Sequence, residues 1–96
     1  MIKDGGTVYV MLPNVFSFDF RDEFRAAITG NPTAVKYEVD FQKVERIDSA
    51  ALGMLLMLRE GARDQSSVVL TNVGPNIYKM LQLVNFQKLF KIQTIA

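Results

Sequence analysis

The sequence predicts an α/β layer fold, a mostly parallel sheet carrying its helices mainly on one face. Three observations lead there. Segments with the two-residue period of strands alternate with segments of helical period, the connections between them are short, and one strand candidate is apolar on a single side. The order β, α, β, α, β, α, β calls for right-handed crossovers between parallel strands. The chain has 96 residues, 49% of them hydrophobic and 22% charged. That composition is globular, and the length suits one domain over residues 1–96, since an independent core generally needs about 100 residues.

Thr7 to Leu12 (TVYVML) is rich in β-branched and aromatic residues and is broken by Pro13-Asn14, which marks the first strand. Gly5-Gly6 precede that strand instead of following one, so they are expected to form a flexible start and not a phosphate loop. A helix follows with Ser17 as N-cap and Asp19 in its first turn. Phe20, Phe24, Ala27 and Ile28 recur at helical spacing until Gly30-Asn31-Pro32 ends the element, and Asp19, Asp22 and Glu23 are its surface charges. Ala34 to Phe41 alternates Val35, Tyr37, Val39 and Phe41 with Ala34, Lys36, Glu38 and Asp40, a strand with one apolar and one wet face. Ser49 to Arg63 is the longest helix. Ser67 to Asn72 is the next strand, and Gly74-Pro75 opens a short helix with proline at the favoured first position. Ile77, Met80, Leu81 and Val84 supply its inward stripe, Asn85 stops it, and Lys88 to Ile95 forms a last strand or a strand running into a turn. Tyr9, Tyr37 and Phe90 are expected to pack on the sheet.

Charge and residue usage narrow the function. Eleven Lys and Arg against ten Asp and Glu leave a net +1, with no field to hold a phosphate backbone or an anionic membrane. Neither nucleic acid nor direct membrane insertion is expected. The longest apolar run, Ala50 to Leu58, is nine residues, about half of the ~20 that span a bilayer. Cysteine and histidine are both absent, which removes thiol catalysis, thiolate metal sites, and the commonest general base and metal ligand. No enzyme, cofactor or metal is expected. The start Met1-Ile2-Lys3-Asp4 lacks the pattern of a secretory signal, so the expected location is cytoplasmic.

The long helix has two faces when Ser49 to Asp64 is projected at about 100° per residue. Ala51, Leu55, Leu58 and Ala62, with Met54 at the edge, form an apolar stripe for the sheet. Ser49, Gly53, Leu56 and Glu60 lie opposite, flanked by Leu52, Arg59 and Arg63 on one hand and by Met57 and Asp64 on the other. The first two turns of this outer face are apolar, and two readings stay open. Either another part of the chain covers them, or they form a docking surface in which Gly53 lets a partner's backbone approach and Glu60, Arg59 and Arg63 make a charged rim. Ser49 has two readings as well. It can simply follow Asp48 as cap, or it can carry a phosphate, which the positive end of a helix tolerates.

Asp40-Phe41-Gln42-Lys43-Val44-Glu45-Arg46-Ile47-Asp48-Ser49-Ala50-Ala51-Leu52-Gly53 resembles the strand, loop and helix start of STAS domains, in particular bacterial anti-sigma factor antagonists. Val73-Gly74-Pro75 and Asn85-Phe86 are similar to the family's second half. The resemblance implies a sheet of four or five strands with helices mainly on one side. It implies a protein that binds an anti-sigma factor serine kinase and is released when the kinase phosphorylates the residue matching Ser49, with a serine phosphatase restoring the complex. Asp40 and Asp48 would then line the phosphoacceptor, and Leu52, Gly53, Leu56, Met57 and Glu60 would belong to the partner surface. The alternative within the family is a STAS subunit of an ABC-type membrane transport assembly, docked on the ATPase without phosphorylation. Two departures stand out: Asn14-Val15-Phe16-Ser17 replaces a common Gly-Glu-Leu-Asp, and Ala50-Ala51 replaces a common Ser-Gly, leaving Ser49 the one hydroxyl at this helix start.

Overall fold

The computed structural model describes residues 2–4, 6–30, 34–62 and 67–95. Its elements are β1 (Ile2–Asp4), β2 (Thr7–Met11), β3 (Val15–Phe16), α1 (Arg21–Thr29), β4 (Lys36–Asp40), β5 (Arg46–Ile47), α2 (Ser49–Gly61), β6 (Val68–Val73), α3 (Pro75–Leu83) and β7 (Lys91–Thr94). Five strands form one sheet in the order β1-β2-β4-β6-β7. All neighbours pair in parallel except β1, which is antiparallel to β2. The expected mostly parallel α/β sheet is present.

Strand periodicity places the core on one side. Val8, Val10 and Leu12, then Tyr37, Val39 and Phe41, then Val68 and Leu70 join one buried cluster with Phe24 and Ala27 of α1, Ala51, Leu55 and Leu58 of α2, and Ile77 and Leu81 of α3. The other side keeps Tyr9 and Met11 exposed beside half-buried Lys36, Glu38 and Asp40. Lys36 and Glu38 pair there at 3.2 Å. Alternation in β4 therefore does report a sheet covered on a single face.

Several boundaries and faces differ from expectation. Gly6 is not part of a loose leader: it turns the chain between β1 and β2 at φ +89°, and its carbonyl accepts from the N–H of Val35 at 2.8 Å. Gly5 lies outside the described residues. Ile2-Lys3-Asp4 carries little strand signal of its own and is a strand because β2 pairs with it. β3 and β5 form a second parallel ladder of two residue pairs, Val15 with Arg46 and Phe16 with Ile47. Such short runs have no period to detect. Val35 precedes β4 and is 49% exposed, not inward. Tyr37 and Phe90 are buried as expected, whereas Tyr9 lies on the open face. In α3, Ile77 and Leu81 point inward, but Met80, at the edge of the stripe, is exposed, and Val84 is exposed because the helix ends at Leu83 and leaves it as the C-cap. Phe86–Lys88 is a 3-10 turn, so the last strand begins at Lys91 and not Lys88. Asn31, Pro32, Arg63 and Asp64 lie outside the described residues.

Candidate functional site at the start of helix α2

Asp48 starts α2. Its extended backbone (φ −104°, ψ 175°) and its Oδ1, which accepts from the N–H of Ala51 at 2.8 Å, make it the N-cap. Its Oδ2 accepts from the N–H of Phe18 at 3.3 Å, and its own N–H donates to the carbonyl of Phe16 at 3.3 Å. Phe16 holds that neighbouring segment in place: it is fully buried and its ring meets Phe20, Phe24 and Phe41 at centroid distances of 6.1, 5.7 and 6.3 Å. Aromatic edges packed at such distances fix the loop on which the cap rests.

Ser49 is the first residue of α2 and is exposed. The unpaired N–H groups and positive dipole end of a helix gather at this point. Ser49, Leu52, Gly53, Leu56, Met57 and Glu60 follow the i, i+3, i+4 spacing of one helical stripe, about 16 Å from first to last. Leu56 is 36% and Met57 63% exposed, Leu52 and Gly53 are half-buried, and Glu60 is exposed. Leu56 and Met57 therefore face outward, while Ala51, Leu55 and Leu58 on the inner side have no exposed surface.

Asp40 and Arg59 have hydrogen-bond partners of their own. Asp40 ends β4, where its Oδ1 accepts from the N–H of Gln42 at 2.8 Å and from Nδ2 of Asn72 at 3.1 Å. It ties the β4–β5 loop to β6 at Asn72, whose φ of +54° accompanies a register shift in the pairing with β7. Arg59 is not an outward rim residue. It is half-buried, its Nε donates to the carbonyl of Leu89 at 2.9 Å, and its Nη1 lies 3.7 Å from Glu60.

Phe18, which sequence patterning did not single out, lies beside the helix start. It is 54% exposed, its backbone is held by Asp48, and the Arg21 guanidinium lies 4.2 Å from its ring centroid. The one local signal is its place directly after the capping Ser17, whose hydroxyl accepts from the N–H of Asp19 at 3.3 Å.

An exposed hydroxyl at a helix start heads an outward stripe with apolar residues on a small α/β domain. The comparisons give the family. A family model described as "Mlab, STAS domain" matches residues 5–93, and a STAS-domain containing protein of Pseudomonas aeruginosa (strain UCBPP-PA14) is 39% identical over 95 residues, covering 93% of this chain and 90% of the relative. The chain belongs to the STAS domain family. Solved structures share its fold. A putative anti-sigma factor antagonist from Thermotoga maritima aligns with a TM-score of 0.77 at 21% identity, over 97% of this chain and 83% of its own. The anti-sigma factor antagonist SpoIIAA in its unphosphorylated form aligns at 0.70 and 17%, over 100% and 84%. A sulfate transporter family protein from Wolinella succinogenes aligns at 0.76 and 16%, over 97% and 80%. Among the described residues no helix is long and apolar enough to cross a membrane.

Proposed function

We propose that this chain is a non-enzymatic anti-sigma factor antagonist of the cytoplasm. It binds a serine-kinase anti-sigma factor through Leu52, Gly53, Leu56, Met57 and Glu60, is released by phosphorylation of Ser49, and is returned to service by a serine phosphatase. The observation that carries the proposal is Ser49, exposed at the first position of α2 and at the head of an outward stripe whose Leu56 and Met57 are exposed. Two of the similar structures being anti-sigma factor antagonists supports it at the level of fold.

The switch follows from charge. A phosphate adds about −1.5 to −2 charges, which the N-terminus of α2 offsets in the free protein. In the complex the same group must be desolvated against apolar contacts, beside the Asp48 carboxylate. Loss of about 3 kcal/mol weakens binding roughly a hundredfold. Titration calorimetry with a kinase-type anti-sigma factor tests this: wild type and Ser49→Ala bind, Ser49→Asp binds far more weakly, and intact-mass spectrometry of protein from its own cells finds a phosphate mapping to Ser49. Equal affinity of all three forms removes the proposal.

A second reading, a STAS subunit of an ABC-type transport assembly, is favoured by the fold shared with a sulfate transporter family protein. Asp40 would then be a scaffold residue and Ser49 a plain first-turn residue. Co-purification with an ATPase and a mass that never changes with growth condition would select it.

A further inference from the structure

A groove of about 260 Å³ runs between α1 and α2, lined by Arg21, Phe24, Arg25 and Ile28 on one side and Met54 and Met57 on the other. Phe24 and Met54 form a buried floor, and Met57, 63% exposed, forms a rim. Arg21, Phe24, Arg25 and Ile28 stand at i, i+3, i+4 and i+7, so α1 presents one face to the groove. The carboxylates of that helix, Asp22 and Glu23, do not line it. The charge at the groove is therefore positive although the chain as a whole carries only +1.

The two arginines differ in how they are held. Arg21 is ordered in advance: its Nη1 donates to the carbonyl of Phe18 at 3.2 Å and its guanidinium stacks on the Phe18 ring. Its ion pair with Asp22 is 4.0 Å long between exposed side chains, a contact that contributes little. Arg25 forms no ion pair with any described carboxylate. Size decides the kind of occupant. Sites that enclose a whole small molecule usually offer roughly 300–1,000 Å³, more than this groove has, whereas the apolar side chains of a docked helix fit shallow grooves of its kind. Methionines on both floor and rim adapt to such side chains.

We infer that the α1–α2 groove docks an acidic amphipathic helix of a partner protein, its apolar side chains between Phe24, Ile28, Met54 and Met57 and its carboxylates on Arg21 and Arg25. The groove shares Met57 with the surface proposed above and rests on that proposal for the partner's biological identity, while its chemistry is tested without it.

The test is an NMR titration of the ¹⁵N-labelled protein with a synthetic amphipathic peptide of about 15 residues, long enough to form a helix. The peptide carries Leu at helical spacing flanked by Glu. A second peptide has Lys in place of every Glu. The acidic peptide is expected to shift the amide resonances of Arg25, Ile28 and Met57, to bind about tenfold more tightly than the Lys peptide, and to weaken as salt is raised. Arg25→Glu should cost about tenfold in affinity, and Met57→Ser, at a position too exposed to disturb the fold, should also weaken binding. Ser49→Asp should leave peptide affinity unchanged. Equal binding of the two peptides, shifts centred elsewhere, or no shifts overturn the inference. If the anti-sigma factor fails to bind the wild type while the acidic peptide fills the groove, the functional proposal falls and the groove stands.

Discussion

Asp48 accepts the backbone N–H of Phe18, thirty positions earlier in the chain, at 3.3 Å, and the same carboxylate caps α2 through Ala51 at 2.8 Å. One side chain thus begins the helix and moors the turn beside it. Asp48→Ala removes both bonds and should destabilise folding by about 1–2 kcal/mol, read from the urea midpoint. Asp48→Asn keeps a carbonyl oxygen for one of the two donors and should cost about half as much. A neutral result for Asp48→Ala would mean that neither bond matters to the fold.

Gly53 lies inside α2, and a Cβ built there meets nothing within 4 Å. Gly53→Ala should stabilise the protein by about 0.5–1 kcal/mol, because alanine loses less backbone freedom on entering a helix. Thermal unfolding should show the gain as a rise of several degrees. Gly53→Leu should fold and yet reduce affinity for the proposed partner by obstructing close approach, which surface-immobilised binding measurements would read.

Leu55 and Leu56 are consecutive, about 100° apart on the helix, and differ in burial. Leu55 has no exposed surface and packs in the core, whereas Leu56 is 36% exposed. Leu55→Ala should cost about 2–5 kcal/mol of stability. Leu56→Ala should cost under about 1 kcal/mol and instead weaken partner binding about tenfold. Denaturant unfolding and calorimetry on the same two variants would separate the roles. Equal stability losses would contradict the two-faced helix.

Burial raises the Tyr37 phenol above its ordinary value near 10. The folded chain then holds this proton more tightly than the unfolded chain. Its contribution is full below about pH 10 and declines as pH climbs from there through the folded-state value. The free energy of unfolding should fall more steeply across the alkaline range for wild type than for Tyr37→Phe. Parallel curves would show that Tyr37 does not drive the decline.

Periodicity made the main sheet and the inner stripe of α2 legible, since Val8, Val10, Tyr37, Val39, Leu55 and Leu58 repeat at the intervals their elements require. The helix start was legible too, as Asp48-Ser49 precede an apolar run. What escaped depends on pairing between distant segments. β1 exists through Lys3 facing Val8, and β3 through Phe16 facing Ile47, neither long enough to display a repeat. Phe18 and the arginine-lined groove escaped for the same reason. Phe18 comes beside the helix start only when Asp48 is folded against it, and the groove exists only where two helices meet.

The asymmetry of α2 has an evolutionary consequence. Ala51, Leu55 and Leu58 are locked against the sheet, so drift there is punished at once through loss of the native state. Leu56 and Met57, being exposed, bear no such folding constraint. On the docking role proposed for this face, duplicated copies of such a gene can therefore diverge in whom they recognise by exchanging a few outward side chains, and sister pathways in one cell can become insulated from cross-talk while every copy keeps the same architecture.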